Sequence, residues 1–326
     1  MQVDGIIIIN KEKNMTSHDV VGKMRRILGT GKIGHTGTLD PMATGVLPIC
    51  VGKATRIIEY LDMDFKTYRC TMALGKNMDT QDAWGKEISR VTEKKINAVD
   101  ETMVKEALSK FNGLVNQKPP IYSALKVNGK KLYEYARAGE TVEIKSRDIF
   151  IKSITIDAME HGKGYDSNIS FTVTCSKGTY IRAICHDVGI ELGTFGFMKS
   201  LERTQSGNAN LENSIKLDEL AEMNKAEIKE KFLAVESLIS DFGEIILEDH
   251  DIKRFTNGMR VWSHRCKIVR EPKYKDRNFV LPVRDEFSRA YITYGRVKGV
   301  KTFLGISFMD KDGENIKADK VFYQYK

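Results

Sequence analysis

An α+β fold with a mixed sheet, followed by a smaller, mainly β and strongly basic C-terminal part, is what this sequence predicts. Three observations carry that expectation. Strand-like and helix-like runs are interleaved without a regular βαβ rhythm. Residues 34–48 are dense in Gly, Thr and Pro, which neither a helix interior nor a central strand tolerates well. The charge balance changes near residue 245: residues 245–326 hold 18 Lys/Arg against 11 Asp/Glu, whereas residues 1–244 hold 34 against 33.

The elements follow in order. Gly5-Ile6-Ile7-Ile8-Ile9 is a β-branched run that reads as a buried strand. Ser17 can cap a helix that aligns Val20, Val21, Met24, Ile27 and Leu28 on one face and stops at Gly29. Beyond the Gly/Thr/Pro loop, Tyr68, Cys70, Met72 and Leu74 alternate as a strand does. Asp100 can start a short helix with Val104, Ala107, Leu108 and Phe111 inward and Gly113 past its end. Ile169, Phe171 and Val173 share a strand face, and a turn at Ser176-Lys177-Gly178 leads into a helix carrying Ile181, Ile184, Val188 and Leu192. One helical stretch is expected from about Lys216 to Ile239, linking residues 1–244 to a C-terminal part, 245–326, of short strands and turns. No internal repeat is present.

Composition narrows the function classes. Apolar content of 41% and charged content of 29% over 326 residues describe a globular protein with a sizeable core. No apolar run approaches a membrane span, and no basic stretch followed by a long apolar run opens the chain, so neither a membrane nor a secreted protein is expected. Five scattered cysteines without a Cys-x-x-Cys pair suit a reducing cytoplasm and indicate neither a disulfide framework nor a zinc ribbon. Gly29-Thr30-Gly31-Lys32-Ile33-Gly34 matches a dinucleotide-binding spacing, but a helix precedes it and a loop follows, the reverse of what that motif needs. The six histidines show no metal-ligand spacing, and Cys185-His186 reads as helix packing. Between Lys253 and Lys301, 14 basic residues stand against 4 acidic ones, with Phe255, Trp262, Tyr274, Phe279, Phe287, Tyr291 and Tyr294 among them. Cations interleaved with aromatics suit RNA, whose phosphates need neutralising and whose bases can be stacked upon.

Within residues 34–48, Gly-His-Thr-Gly-Thr-Leu-Asp-Pro-Met-Ala-Thr-Gly-Val-Leu-Pro, Asp40 is the only ionised group. Asp before Pro commonly just opens a turn. The segment, however, resembles the active-site loop of the TruB-type bacterial tRNA pseudouridine synthases, and five further blocks resemble that family in the same order. These are Asn10-Lys11 with Thr16 to Val21; Gly52-Lys53-Ala54-Thr55-Arg56; Lys66-Thr67-Tyr68 with Leu74-Gly75 and Asp79-Thr80-Gln81-Asp82; Lys118 to Lys126; and Cys175 to Arg182. The similarity spans roughly residues 5 to 207. Glu12, Asn14 and Met78 depart from the family's usual Pro, Gly and Thr, all in turns. Residues 270–289 look like an insertion, a candidate disordered basic loop.

The resemblance implies a mixed-sheet pseudouridine synthase catalytic domain (1–244) and a small PUA-like RNA-binding domain (245–326). It implies isomerisation of the T-loop uridine of tRNA, position 55, by base flipping. The bond from uracil N1 to ribose C1′ breaks and the base rejoins through C5, a reaction that calls for neither metal nor cofactor. Asp40 takes the nucleophile's role, Arg182 the ion pair that supports it, and Tyr68 the stacking ring and possible base. Tyr180 and Leu201 wall the base pocket, His35 fills the space left by the flipped base, and Lys53, Lys118 and Lys126 are phosphate or loop contacts. The expected partner is the T-stem-loop of tRNA, with no guide RNA, no obligate protein partner and a monomeric chain. Two other classes compete: a tRNA-folding helper with catalysis secondary or lost, and a metal-dependent nuclease built on Asp79 and Asp82.

Overall fold

The structure is a computed structural model and describes residues 4–61, 65–273 and 287–324. Strand β1 (Gly5–Lys11) is buried on both faces. Ile7 and Ile9 enter the main core, while Ile6 and Ile8 enter a second core shared with the C-terminal sheet, as the two-residue period of a strand requires. Helix α1 (Ser17–Leu28) follows, then β2 (Ile33–His35), β3 (Thr44–Val51) and the short α2 (Ile58–Leu61). Strand β4 (Lys66–Leu74), the hairpin β5 (Lys76–Met78) and β6 (Glu87–Arg90), and helices α3 (Glu93–Asn97) and α4 (Glu101–Ser109) come next. Then come β7 (Gly113–Gln117), the small hairpin β8 (Lys126–Val127) and β9 (Lys130–Lys131), and α5 (Leu132–Ala138). Strands β10 (Arg147–Glu160) and β11 (Asn168–Cys175), helix α6 (Ile181–Glu191), and strands β12 (Gly196–Ser206) and β13 (Ala209–Asn210) complete this part.

Among the described residues these strands form a nine-stranded mixed sheet, ordered β1-β3-β12-β4-β11-β10-β7, with β2 on β3 and β13 on β12. The β12–β3 pair is parallel and its neighbours are antiparallel. The register sets Tyr68 of β4 opposite Val173 of β11 on one side and Arg203 of β12 on the other.

Two expectations about helices need correction. The N-cap of α1 is Thr16, not Ser17: Thr16 and Asp19 close a capping box. Ser17 is thereby free to bond the loop around Leu39 instead. The stretch from Lys216 to Ile239 is not one helix but α7 (Leu217–Glu222), α8 (Lys225–Glu230) and a 3-10 turn at Val235–Ile239. The cause is the edge of β1, to which the chain is pinned twice: Ile215 bonds Ile8 and Asn10, and Leu233 exchanges two backbone hydrogen bonds with Ile6. A straight helix could not return to the same strand. Asn14 sits at φ 64°, a left-handed conformation that Asn tolerates almost as Gly does, so the departure from the family's Gly costs little shape.

The remaining chain supplies β14 (Gly243–Leu247), α9 (Asp249–Thr256), β15 (Val261–Trp262), β16 (Cys266–Arg270), β17 (Phe287–Val297), β18 (Val300–Asp310) and β19 (Asn315–Val321). They form a six-stranded, PUA-like sheet ordered β15-β19-β18-β17-β14-β16. Ala290, Ile292, Ile306 and Phe308 of this sheet share a core with Ile6, Ile8, Val46 and Cys50. The suggested loop at 270–289 falls mostly on residues 274–286, outside the described residues. Among the described residues, no helix is long and apolar enough to cross a membrane.

Candidate active site

The loop between β2 and β3 is held on both sides of Asp40 by named bonds. Asp40 and Pro41 make a turn closed by the Ala43 N–H on the Asp40 carbonyl (3.0 Å), the geometry that Pro after Asp favours. Ser17 Oγ accepts the Leu39 N–H at 2.9 Å. Lys11, fully buried, donates its Nζ to the carbonyls of Met15 (2.8 Å), Glu12 (3.0 Å) and Pro41 (3.1 Å). Arg203, also fully buried, donates Nε to the Val46 carbonyl (2.6 Å) and Nη2 to the Gly37 carbonyl (3.0 Å). Gly45 has φ 101°, and a Cβ there would overlap the Arg203 carbonyl. The close approach of β3 to β12 therefore requires glycine at that point.

Arg182, on the first turn of α6, organises the opposite wall. Its Nε lies 2.9 Å from Asp40 Oδ2 and its Nη2 lies 3.5 Å from Oδ1. The remaining donors reach the carbonyls of Thr80 (3.0 Å) and Tyr122 (3.1 Å), with Asp82 Oδ2 at 3.6 Å from Nη1. The guanidinium is thus a hub joining the Asp40 loop, the turn at 79–82 and the segment before β8. Its side chain is 6% exposed, whereas that of Asp40 is 40% exposed. The cation is built in, and the carboxylate stays open to a ligand. Planar five-donor geometry suits this role, and a lysine could not fill it.

Between them lies a cavity of about 670 Å³, a size suited to a small organic group. Asp40, Tyr68, Tyr180, Arg182 and Leu201 all line it. Five of the residues singled out from sequence are therefore brought together. Gln117 fixes Tyr180 through both amide atoms, donating to its carbonyl (3.0 Å) and accepting its N–H (2.9 Å). Burial pushes the Tyr68 hydroxyl above its ordinary value, with the Arg203 guanidinium opposing that shift. The hydroxyl accordingly carries its proton at neutral pH. The four other candidates lie outside the cavity lining. His35 is half-buried on β2, edge-on to His18 at 6.4 Å. Lys118 and Lys126 are exposed, Lys126 directly following the lining residue Leu125. Lys53 donates its Nζ to the Phe322 carbonyl (3.1 Å), which places it at the seam with the C-terminal sheet.

Sequence reasoning gave no role to Arg203, Lys66, Tyr133 or Arg137, which also line the cavity. Arg203 was in principle findable, because it lies two residues after Leu201 on one strand face. Asp79 and Asp82 are committed to the loop. Asp79 accepts the Lys86 N–H (2.6 Å) and faces the Tyr122 hydroxyl (3.4 Å), and Asp82 accepts from Thr80 Oγ1 (2.6 Å) and the Trp84 N–H (3.1 Å). Asp82 also faces Arg182, and these bonds leave little to a nuclease reading.

Lys11 yields two expectations. Burial pushes its ammonium down to about 8, with Asp40 opposing the shift. Between that value and the ordinary 10.5, the folded chain binds fewer protons at this position than the unfolded chain. The group's contribution to stability therefore rises with pH across that window. Urea titrations of wild type and Lys11→Met from about pH 7 to about pH 10 should show a difference that grows with pH; a flat difference would mean that the ammonium is not desolvated. Lys11→Met should also release the Pro41 carbonyl and slow turnover by about tenfold to a hundredfold, the scale of a small misplacement of a reacting group.

Comparison with known proteins places this geometry in context. The model of the TruB family pseudouridylate synthase N-terminal domain matches residues 25–181, and that of the tRNA pseudouridylate synthase B C-terminal domain matches residues 182–245. The tRNA pseudouridine synthase B of Clostridioides difficile is 40% identical over 322 residues, covering 97% of this chain and 99% of that protein. The protein of the same name from Clostridium kluyveri is 41% identical over 321 residues, covering 98% and 100%. In fold, the chain resembles one in a structure of an H/ACA RNP bound to a substrate RNA containing 2'-deoxyuridine, with a TM-score of 0.70 at 21% identity over 98% of this chain and 85% of that one.

Proposed function

Because the chain belongs to the TruB family of pseudouridylate synthases, we infer that the cavity at Asp40 is where it isomerises a uridine of tRNA to pseudouridine. It is a tRNA pseudouridine synthase. The substrate position we propose is the T-loop uridine, position 55, taken from the RNA by base flipping, since a stacked base cannot reach a recessed carboxylate. The observation that carries the site is the Asp40–Arg182 ion pair, 2.9 Å long, at the wall of a cavity that also presents Tyr68, Tyr180 and Leu201.

The chemistry follows from that arrangement. The N1–C1′ bond must break, C5 must take the place of N1 on C1′, and the C5 proton must leave while N1 gains one. Asp40, open on the cavity side, supports C1′ or the base while that bond is broken. Arg182 holds the carboxylate in one orientation. Tyr68 and Tyr180 offer aromatic surface against which the free base can turn without escaping. Residues 1–244 then form the catalytic domain, and residues 245–326 an accessory RNA-binding domain of a chain that acts alone in the cytoplasm.

The test is an unmodified tRNA transcript tritiated at uridine C5, incubated with wild type and Asp40→Ala in the presence of a chelator. Tritium release by wild type alone, with a single carbodiimide-dependent stop at the T-loop uridine, is the expected result. Salt-sensitive tRNA binding without release by either protein would favour a folding helper instead. Tyr68→Phe keeps the ring and removes the hydroxyl. It should slow turnover about a hundredfold or more, the range of a lost proton carrier, with tRNA affinity unchanged. Full activity would confine Tyr68 to stacking.

A further inference from the structure

We propose that Arg147 forms a phosphate-binding site for the RNA backbone beside the mouth of the base pocket. The inference rests on the tRNA reading above and adds a contact that reading does not contain. Three strands of the catalytic sheet end or begin at this place. Arg147, the first residue of β10, pairs with Gln117 at the end of β7, and Cys175 at the end of β11 pairs with Ile151 of β10. The turn Ser176-Lys177-Gly178-Thr179, which lines the cavity, leaves directly from that end.

The Arg147 guanidinium lies over the Tyr180 ring, 5.1 Å from its centroid. A Cβ built on Gly178, which has φ 80°, would lie 3.6 Å from Arg147 Cζ and Nη1, so the guanidinium rests against the bare turn. Its Nε is buried and makes no hydrogen bond, and no carboxylate pairs with it among the described residues. A partly buried guanidinium with no anion beside it is costly to keep. Two further cations lie next to its neighbours in the chain: Lys118 follows its register partner Gln117, and Lys177 precedes Gly178, both exposed and without an ion pair among the described residues. The nearby Asp148 accepts from Asn116 Nδ2 (2.8 Å).

The missing partner must therefore be an anion from outside the chain. A nucleotide whose base enters this cavity carries a phosphate on each side. A planar guanidinium, stacked on the ring that walls the pocket, is suited to a forked contact with one of them. Lys118 and Lys177 would extend the same contact along the backbone.

The experiment compares wild type, Arg147→Gln and Arg147→Lys on unmodified tRNA transcript. Binding is measured from about 50 to about 300 mM KCl, and single-turnover tritium release at saturating enzyme. Loss of one phosphate contact predicts that Arg147→Gln binds about tenfold more weakly at low salt. The slope of log affinity against log salt should become shallower by about 0.7–0.9. Its saturating rate should stay within about threefold of wild type, and Arg147→Lys should keep the wild-type slope, which also guards against a folding defect. An unchanged slope in Arg147→Gln overturns the proposal. If the saturating rate also collapses, the guanidinium serves only to brace Tyr180. Failure of wild type to bind tRNA or release tritium would strike the tRNA reading itself, which separates the two failures.

Discussion

Asp40→Asn should lower the single-turnover rate by about ten-thousandfold or more, the scale seen when a nucleophile is removed from an otherwise intact site. It should leave tRNA affinity within a few-fold. The second half of that expectation comes from the geometry. The Asp40 backbone is held by Ser17 to Leu39, Lys11 to Pro41, and the turn from Asp40 to Ala43, and none of these bonds uses the carboxylate. An amide of nearly the same shape can still accept from Arg182 through its oxygen, so the loop, cavity and guanidinium should stay in place. What is lost is a negative charge and a nucleophilic oxygen, and both matter only once the glycosidic bond begins to break. The measurement is tritium release under single-turnover conditions beside filter binding of the same transcript. A rate within tenfold of wild type would remove Asp40 from the chemistry. A parallel collapse of affinity would show that the carboxylate acts in binding.

The sequence exposed some of this site more clearly than the rest, and the division has a physical cause. Asp40, Tyr68, Tyr180 and Arg182 were legible because each lies in a local motif whose spacing survives as a string, and Leu201 because the similarity runs on to about residue 207. Local structure was legible for similar reasons. The Ile6–Ile9 run, the alternation through β4 and β11, and Gly29 after α1 are short-range signals that tertiary packing did not override. What remained hidden was long-range. Nothing in the neighbourhood of Ser17 says that its hydroxyl will hold Leu39, and nothing near Lys11 says that it will meet Pro41. Arg203 offers only its two-residue spacing from Leu201 until the register sets it across from Tyr68 and Gly45. The break in the Lys216–Ile239 stretch has the same origin, since the edge of β1 that pins Ile215 and Leu233 lies over two hundred residues earlier. Lys53 shows the converse: its motif resembles the family's, yet the fold carries its ammonium to Phe322, away from the cavity.

Arg182→Met should have the second-largest effect, and on two observables at once. Methionine fills much of the arginine's stem volume but offers no donor. The Thr80 and Tyr122 carbonyls then lose their partner, and Asp82 and Asp40 lose their cation. Breaking a buried pair from one side typically costs about 3–5 kcal/mol. Because Asp40 is 40% exposed, its share is softened by water, so the lower end, about 3 kcal/mol, is expected in urea titrations. Turnover should fall by about a thousandfold or more, because the carboxylate loses its orientation and the 79–82 turn its anchor. Arg182→Lys separates these causes. A lysine restores the charge near Asp40 but reaches one partner at a time. It should therefore recover little of the rate and only part of the stability. If Arg182→Lys instead restored turnover to within about threefold of wild type, charge alone would suffice, and the forked geometry linking Asp40 to Thr80 and Tyr122 would be incidental to catalysis.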